Sequence, residues 1–160
     1  MLTHYYVLFL GKMILAATTD IYRKAIQKFL PIPSKSHYLF NLRDYSRVIG
    51  GIMLVPPNCL KEPDKLIKLW IHEACRVFHD RLVDPEDRLE LLNMLKFSCY
   101  EHLRQPINKI LANLLSEGEE NVTYPHLSDL LFGNYMEPDA DPKVYDEVSD
   151  LEDLNVRVHL

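Results

Sequence analysis

The chain has 160 residues, 48% of them hydrophobic and 26% charged, with 5 glycines, which is the make-up of one globular domain with a tail or small second unit. Its net charge of −5 is unevenly spread: residues 117–160 carry 12 Asp/Glu against 2 Lys/Arg, a balance of −10, while residues 1–116 carry +5. An acidic tail, with no basic groove studded by aromatics elsewhere, excludes nucleic acid as a partner.

The chain opens on two apolar runs, 5–10 and 13–17, split by Gly11 and Lys12. Neither approaches the roughly 20 residues that span a bilayer. Residues 1–4 contain no basic cluster of the kind that opens a signal peptide. No membrane partner is expected, and the stretch reads as buried helix. From about Met13 to Leu30, Ile14, Ala17, Ile21, Ala25, Ile26 and Phe29 recur at helical spacing. Pro31 and Pro33 then end the helix, because proline lacks the N–H and crowds the preceding turn. Residues 31–40 form a connector. Its Tyr38, Leu39 and Phe40 are too apolar for a solvated loop, and Leu39 or Phe40 is expected to staple the start of the next helix.

That next helix runs from Leu42 to about Leu54, with Leu42, Tyr45, Val48, Ile49 and Ile52 as its apolar stripe. Asn41 is its N-cap, and Asp44 stands in the capping-box position. Arg43 therefore sits in the first turn, where the helix dipole disfavours a cation. It reads either as a surface arginine paired with a nearby carboxylate or as an arginine held ready for a phosphate. Arg47 lies one turn on. Gly50 and Gly51 each weaken the helix by roughly 1 kcal/mol relative to alanine, which close approach of another element would explain.

A third helix is expected from Pro63 to about Leu82, burying Leu66, Leu69, Trp70, Cys75, Val77, Phe78 and Leu82. A fourth starts at the N-cap Asp84 with Pro85, Glu86 and Asp87 in its first turn, and buries Leu89, Leu92, Leu95, Phe97 and Leu103. A short helix covers 107–115 after Pro106. Residues 116–121, SEGEEN, form a charged linker. Residues 122–136 read as a strand or extended segment with a turn at Gly133-Asn134, 136–142 as extended, and 145–154 as a last helix. The tail has too few apolar residues for a core of its own and is expected to need a following module for order. The fold class is all-α: a helical bundle over 1–116, with an extended, partly irregular acidic segment over 117–160.

Little in this bundle carries chemistry by itself. Cys59, Cys75 and Cys99 are an odd number without a disulfide pattern, which suits a reducing compartment. His72, Cys75 and His79 share one predicted helix, but the spacing is not HExxH and one straight helix cannot surround a tetrahedral ion, so no metal site is expected. Lys35 and His37 are expected to be solvent-exposed. No nucleophile-elbow pattern and no carboxylate pair in a pocket points to catalysis. No GxxxxGK[ST] occurs, and no hydrophobic strand ends in paired acids that would hold magnesium. No catalytic residue is assigned, and the isolated chain is expected neither to hydrolyse ATP nor to hold a cofactor.

Three stretches nevertheless carry a resemblance: KSHYLFNLRDYSRVIGG at 35–51, KLWIHEACRVFHDRLVDPEDR at 68–88, and LLFGNYMEPDADPKVYDEVSDLEDL at 130–154. The first two closely resemble the small helical lid subdomain of the third AAA+ module of dynein heavy chains, the axonemal ones in particular. The third resembles the approach to the fourth module. Residues 1–13 do not fit the pattern and make an atypical start. The resemblance implies part of an ATP-driven microtubule motor of the cilium axoneme, in the cytoplasm and cytoskeleton. Its partners would be the adjacent AAA+ large subdomains and, indirectly, microtubules, and ATP or ADP would be bound only in the full motor. It also implies that Arg43 of NLRD is the sensor 2 arginine, aimed by Asn41 and Asp44, with Arg47 as the second choice. The rival reading is a stand-alone helical module that binds another protein through an exposed apolar face.

Overall fold

The computed structural model describes residues 2–60, 62–116, 118–134 and 144–148, with side chains described from Phe9 onward. In chain order these form α1 (Leu2–Lys28), α2 (Leu42–Ile52), α3 (Pro63–Ala74), α4 (Pro85–Leu103), the short α5 (Ile107–Ile110) and α6 (Tyr124–Ser128), then the two-residue strands β1 (Phe132–Gly133) and β2 (Asp146–Glu147). The first apolar run continues α1 rather than preceding it, so the helix begins eleven residues before the expected Met13. Among the described residues no helix is long and apolar enough to cross a membrane.

The long α1 lies against α4, and α2 against α3. Leu10, Ile14, Ala17, Ile21 and Ala25 make the buried stripe of α1, continued by Phe29 just past its end, while Ile26 falls at its exposed edge. The stripe contains one hydroxyl, Thr18, which donates to the Ile14 carbonyl at 2.7 Å and accepts the indole N–H of Trp70 at 3.0 Å. Both groups are buried, so the pair meets the requirement that interior polar atoms find partners. All seven residues expected to be buried between 66 and 82 are buried. Cys75 and Cys99 are buried as well, and burial pushes both thiols up to about 12, which leaves them unreactive.

Several sequence expectations are corrected. Leu42 is 68% exposed, because α2 is rotated so that Asp44, Val48 and Gly51 face inward. Leu89 and Phe97 are exposed on α4, and Leu91, Ser98 and Cys99 take the interior. Asp84 holds the N-cap position of α4, but its carboxylate makes no cap bond; it pairs with Lys35 at 2.5 Å instead. Lys35 is accordingly engaged, with Asp87 also at 2.5 Å, and the hydrogen bonds it donates to the two carboxylates raise its pKa above the usual lysine range. His37 is exposed as expected. Of the two staple candidates, Phe40 turns inward onto Phe78 with ring centroids 5.6 Å apart, and Leu39 is exposed.

The third helix does not reach Leu82 as regular α-helix. Its last turn, Cys75–His79, widens to a π-turn closed by Asp80 N–H on the Cys75 carbonyl at 3.1 Å. Val77, Phe78 and His79 are consecutive and all buried, which a regular helix with one inner stripe does not accommodate. His79 stacks on Tyr124 with centroids 4.2 Å apart, and its Nε2 has no hydrogen-bond partner among the described residues. Burial, reinforced by the Arg88 charge and opposed by Asp80, lowers its pKa. Because the folded state disfavours the proton, stability is full above the ordinary histidine value of about 6.5 and declines as pH falls below it. Thermal unfolding between pH 7.5 and 5.5 should therefore show a loss that His79→Phe, which retains a stacking ring, removes; an unchanged slope in the variant would count against this.

After α5 the chain does not leave the bundle. Asn108 donates to the Glu120 carbonyl at 3.0 Å and accepts Val122 N–H at 3.1 Å, pinning the linker. Where a strand or extended segment was expected, 124–128 is helical, started by Thr123 and by Pro125 in the first turn. Val122, Leu127, Leu130 and Phe132 are buried in the common core, so the bundle rather than a following module supplies their partners. The expected helix from 145 is absent over 145–148: Asp146–Glu147 pairs antiparallel with Phe132–Gly133, Glu147 opposite Phe132. The remainder of that expected helix, and the expected extended stretch 136–142, lie outside the described residues.

Candidate functional site

The start of α2 is built by reciprocal capping. Asn41 Oδ1 accepts Arg43 N–H at 2.8 Å, and Asn41 N–H donates to Asp44 Oδ2 at 3.0 Å. The aspartate thus takes the usual place of a glutamate in this motif. Asn41→Ala should cost about 1 kcal/mol and Asn41→Gly only a few tenths, as measured by urea unfolding; equal losses would show that the side-chain acceptor contributes nothing.

Asp44 does more than cap. It is 2% exposed and receives both terminal nitrogens of Arg81, Nη2 on Oδ1 at 2.6 Å and Nη1 on Oδ2 at 3.0 Å. Arg81 also donates to the Leu39 carbonyl at 3.0 Å and lies over the Phe40 ring at 4.8 Å. One guanidinium therefore ties the end of α3 to the connector and to the first turn of α2. Hydrogen bonding from Arg81, more than offsetting desolvation, holds the Asp44 carboxyl below the usual carboxylate range. Arg47 reaches Oδ1 of the same aspartate at 3.5 Å, with its side chain 59% exposed.

Arg43 is exposed, and its guanidinium makes no hydrogen bond or ion pair among the described residues. Of the two readings open at this arginine, pairing with a nearby carboxylate is therefore not realised. Its backbone is fixed by the cap, and in the chain it directly follows Leu42, which is 68% exposed. The four residues singled out in sequence are thus brought together, but in different roles. Asn41 and Asp44 set the turn, Arg47 rests on Asp44, and Arg43 projects from it. Arg81 was not among them. It stands in a charged turn beside Asp80, and no local signal separates it from Arg88, whose Nε instead bonds the Leu82 carbonyl at 2.8 Å.

The residues weighed as metal ligands diverge. His72 Nδ1 lies 2.9 Å from the Leu130 carbonyl, Cys75 is buried, and His79 stacks on Tyr124. A cavity of about 430 Å³ opens between α4 and α6, lined chiefly by Leu89, Leu92, Val122 and Tyr124, and contains none of the site residues.

The site thus stands on a helical bundle whose second helix opens on a capped turn. The family model of the AAA+ lid domain matches residues 14–115, and the chain belongs to that family. Within it, the chain matches the lid of axonemal dynein heavy chains. It is 49% identical over 146 residues to dynein axonemal heavy chain 3 of Homo sapiens, covering 91% of this chain and 4% of that one. It is 38% identical over 148 residues to dynein axonemal heavy chain 12 of Rattus norvegicus, 91% of this chain and 5% of that one. With dynein axonemal heavy chain 1 of Homo sapiens it shares 36% over 133 residues, 83% and 3% respectively. The chain therefore spans a few per cent of the length of these relatives.

Proposed function

We propose that this chain is the lid of the third AAA+ module of an axonemal-type dynein motor, followed by the approach to the fourth, and that Arg43 is its sensor 2 residue. The observation that carries the reading is the contrast among three neighbouring arginines. Arg81 and Arg47 are both engaged on Asp44, whereas Arg43 is exposed and without a partner among the described residues, on a turn fixed by two capping bonds. A planar guanidinium held in that way suits the oxygens of a terminal phosphate.

In this reading the nucleotide, ATP or ADP, is held by the large subdomain upstream, which supplies the phosphate loop and magnesium ligands that this sequence lacks. The lid contributes one cation and a rigid body. Contacts of Arg43 that differ between nucleotide states bias the lid's orientation, and the lid passes that bias to the next module. Microtubules are engaged elsewhere in the motor, and the site of action is the cytoskeleton of the cilium axoneme. The test is nucleotide affinity and single-turnover hydrolysis at this one site of a full-length motor, with the other ring sites disabled, comparing Arg43→Ala with Arg47→Ala. Impairment by the first alone supports the assignment; impairment by the second alone moves it to Arg47.

A further inference from the structure

The segment 144–148 is held to α3 at three points. Asp146 pairs with Lys65 at 2.7 Å, Glu147 with Lys68 at 3.2 Å, and the Tyr145 hydroxyl donates to Glu73 Oε1 at 2.8 Å. It is also attached to the preceding strand, through the pairing of Asp146–Glu147 with Phe132–Gly133 and through Val148 N–H on the Leu131 carbonyl at 2.9 Å. Lys65 and Lys68 lie one turn apart on α3, and their partners are consecutive residues on the segment.

Glu73 differs from the two lysines. It is fully buried, and its second oxygen, Oε2, has no hydrogen-bond partner among the described residues, with Arg76 Nε at 3.5 Å as an ion-pair neighbour. A buried carboxyl group left partly unpartnered is costly. That oxygen lies where a side chain on Gly51 of α2 would be. A Cβ built at Gly51 would overlap Oε2 and the carboxyl carbon of Glu73, whereas at Gly50, one residue earlier, it would meet nothing. Gly51 thus accounts for one glycine of the pair: the absent side chain is where Glu73 lies.

We propose that Glu73 is a positioning residue that couples α2 to the segment leading out of the lid. Its carboxyl is confined between the Gly51 backbone on one side and the Tyr145 hydroxyl on the other. A displacement of α2 toward α3 must move the carboxyl, and a moved carboxyl loses Tyr145. Packed interiors answer such displacement by switching contacts rather than by yielding. The proposal deepens the relay reading given above and rests on it, but it concerns only contacts within this chain and its test contains no nucleotide. A failure of the Arg43 assignment is therefore distinguishable from a failure here.

The experiment is amide hydrogen exchange on the 160-residue chain, read at 146–148, at 49–52 in α2, and at Leu95 in the core of α4 as a reference. Tyr145→Phe should raise exchange at 146–148 about tenfold without changing Leu95, the size of effect expected for one lost hydrogen bond to a carboxyl group. Gly51→Ala should do the same from the far side of Glu73, while Gly50→Ala should leave 146–148 unchanged. In the Tyr145→Phe background Gly51→Ala should add less than about twofold at 146–148, since contacting residues on one path are not additive. Glu73→Gln, which keeps the volume and an acceptor for Tyr145, should stay within about twofold of the parent, and Glu73→Ala should not.

The proposal is overturned if Gly51→Ala raises exchange at 146–148 and Leu95 together, which is loss of fold rather than coupling. It is also overturned if Gly51→Ala spares 146–148, or if its effect and that of Tyr145→Phe simply multiply. Should Gly51→Ala not fold, reciprocity decides: Tyr145→Phe must then raise exchange at 49–52, and an unchanged α2 overturns the proposal.

Discussion

Asp44→Ala should destabilise the bundle by about 2–3 kcal/mol, more than loss of a cap alone, because it removes one partner of a buried ion pair. The variant loses the acceptor of Asn41 N–H and leaves the Arg81 guanidinium, 23% exposed, without its two short bonds. Arg81→Ala should cost nearly as much, since it leaves a side chain that is 3% exposed with only the Asn41 N–H bond and the 3.5 Å contact of Arg47. The double variant should cost well under the sum, with a coupling of about 1–3 kcal/mol. Arg47→Ala should change stability by less than about 0.5 kcal/mol, as its side chain is mostly in water. The pH dependence has a definite sign. The folded carboxyl of Asp44 is depressed, so its stabilisation is present above the unfolded aspartate value of about 3.9 and is lost as pH falls through the folded value. The gap between parent and Asp44→Asn in urea unfolding should therefore close in strong acid, below the window in which His79 acts. Additive single losses, or a gap that persists in acid, would show that the pair does not hold α2.

That pair also marks where sequence reading stops. The cap of α2, the start of α4 at Pro85 and the burial of Trp70 follow from local chemistry: a side-chain acceptor before a helix, a proline fit for a first turn, an indole on an apolar stripe. The face of α2 does not. Counting apolar residues places Leu42 inside, but the inward residues are Asp44, Val48 and Gly51, spaced four and three apart. Two of them are invisible to an apolar count, one because its charge is neutralised by Arg81, 37 residues away in sequence, and one because it has no side chain. Glu73 is hidden for the same reason, its burial depending on Gly51 and Tyr145 from two other segments. The pairing of β1 with β2 joins two-residue strands, too short for an alternating pattern to register. The place of Arg43 in the first turn follows from the cap alone, and its lack of a partner among the described residues became visible only once the places of Arg47 and Arg81 were known.

Arg43→Ala should reverse the pattern of Asp44→Ala, leaving stability intact and impairing function. The Arg43 side chain is exposed, and the capping bond to Asn41 comes from its backbone N–H, which alanine keeps. Removing a cation from the positive end of a helix should leave stability unchanged or raise it by about 0.3 kcal/mol. In a full-length motor carrying this lid, the same change should weaken nucleotide binding or single-turnover hydrolysis at the adjoining site by about 10- to 100-fold, the worth of a charge-assisted hydrogen bond of roughly 1.5–3 kcal/mol. A bidentate fork on the terminal phosphate gains further as negative charge develops there in a site that excludes water. Arg43→Lys should restore part of the loss, since a point charge on a flexible stem replaces the charge but not the fork. Arg47→Ala should change either parameter by less than about twofold, its contact being an exposed pair. On the proposed reading, in which the track is engaged elsewhere in the motor, microtubule affinity in a fixed nucleotide state should be the same in all three variants. Parent-like affinity and turnover in Arg43→Ala would remove the sensor assignment and leave the lid as a mechanical spacer. A stability gain together with a functional loss, at one exposed residue, is what a side chain kept for a ligand rather than for the fold produces.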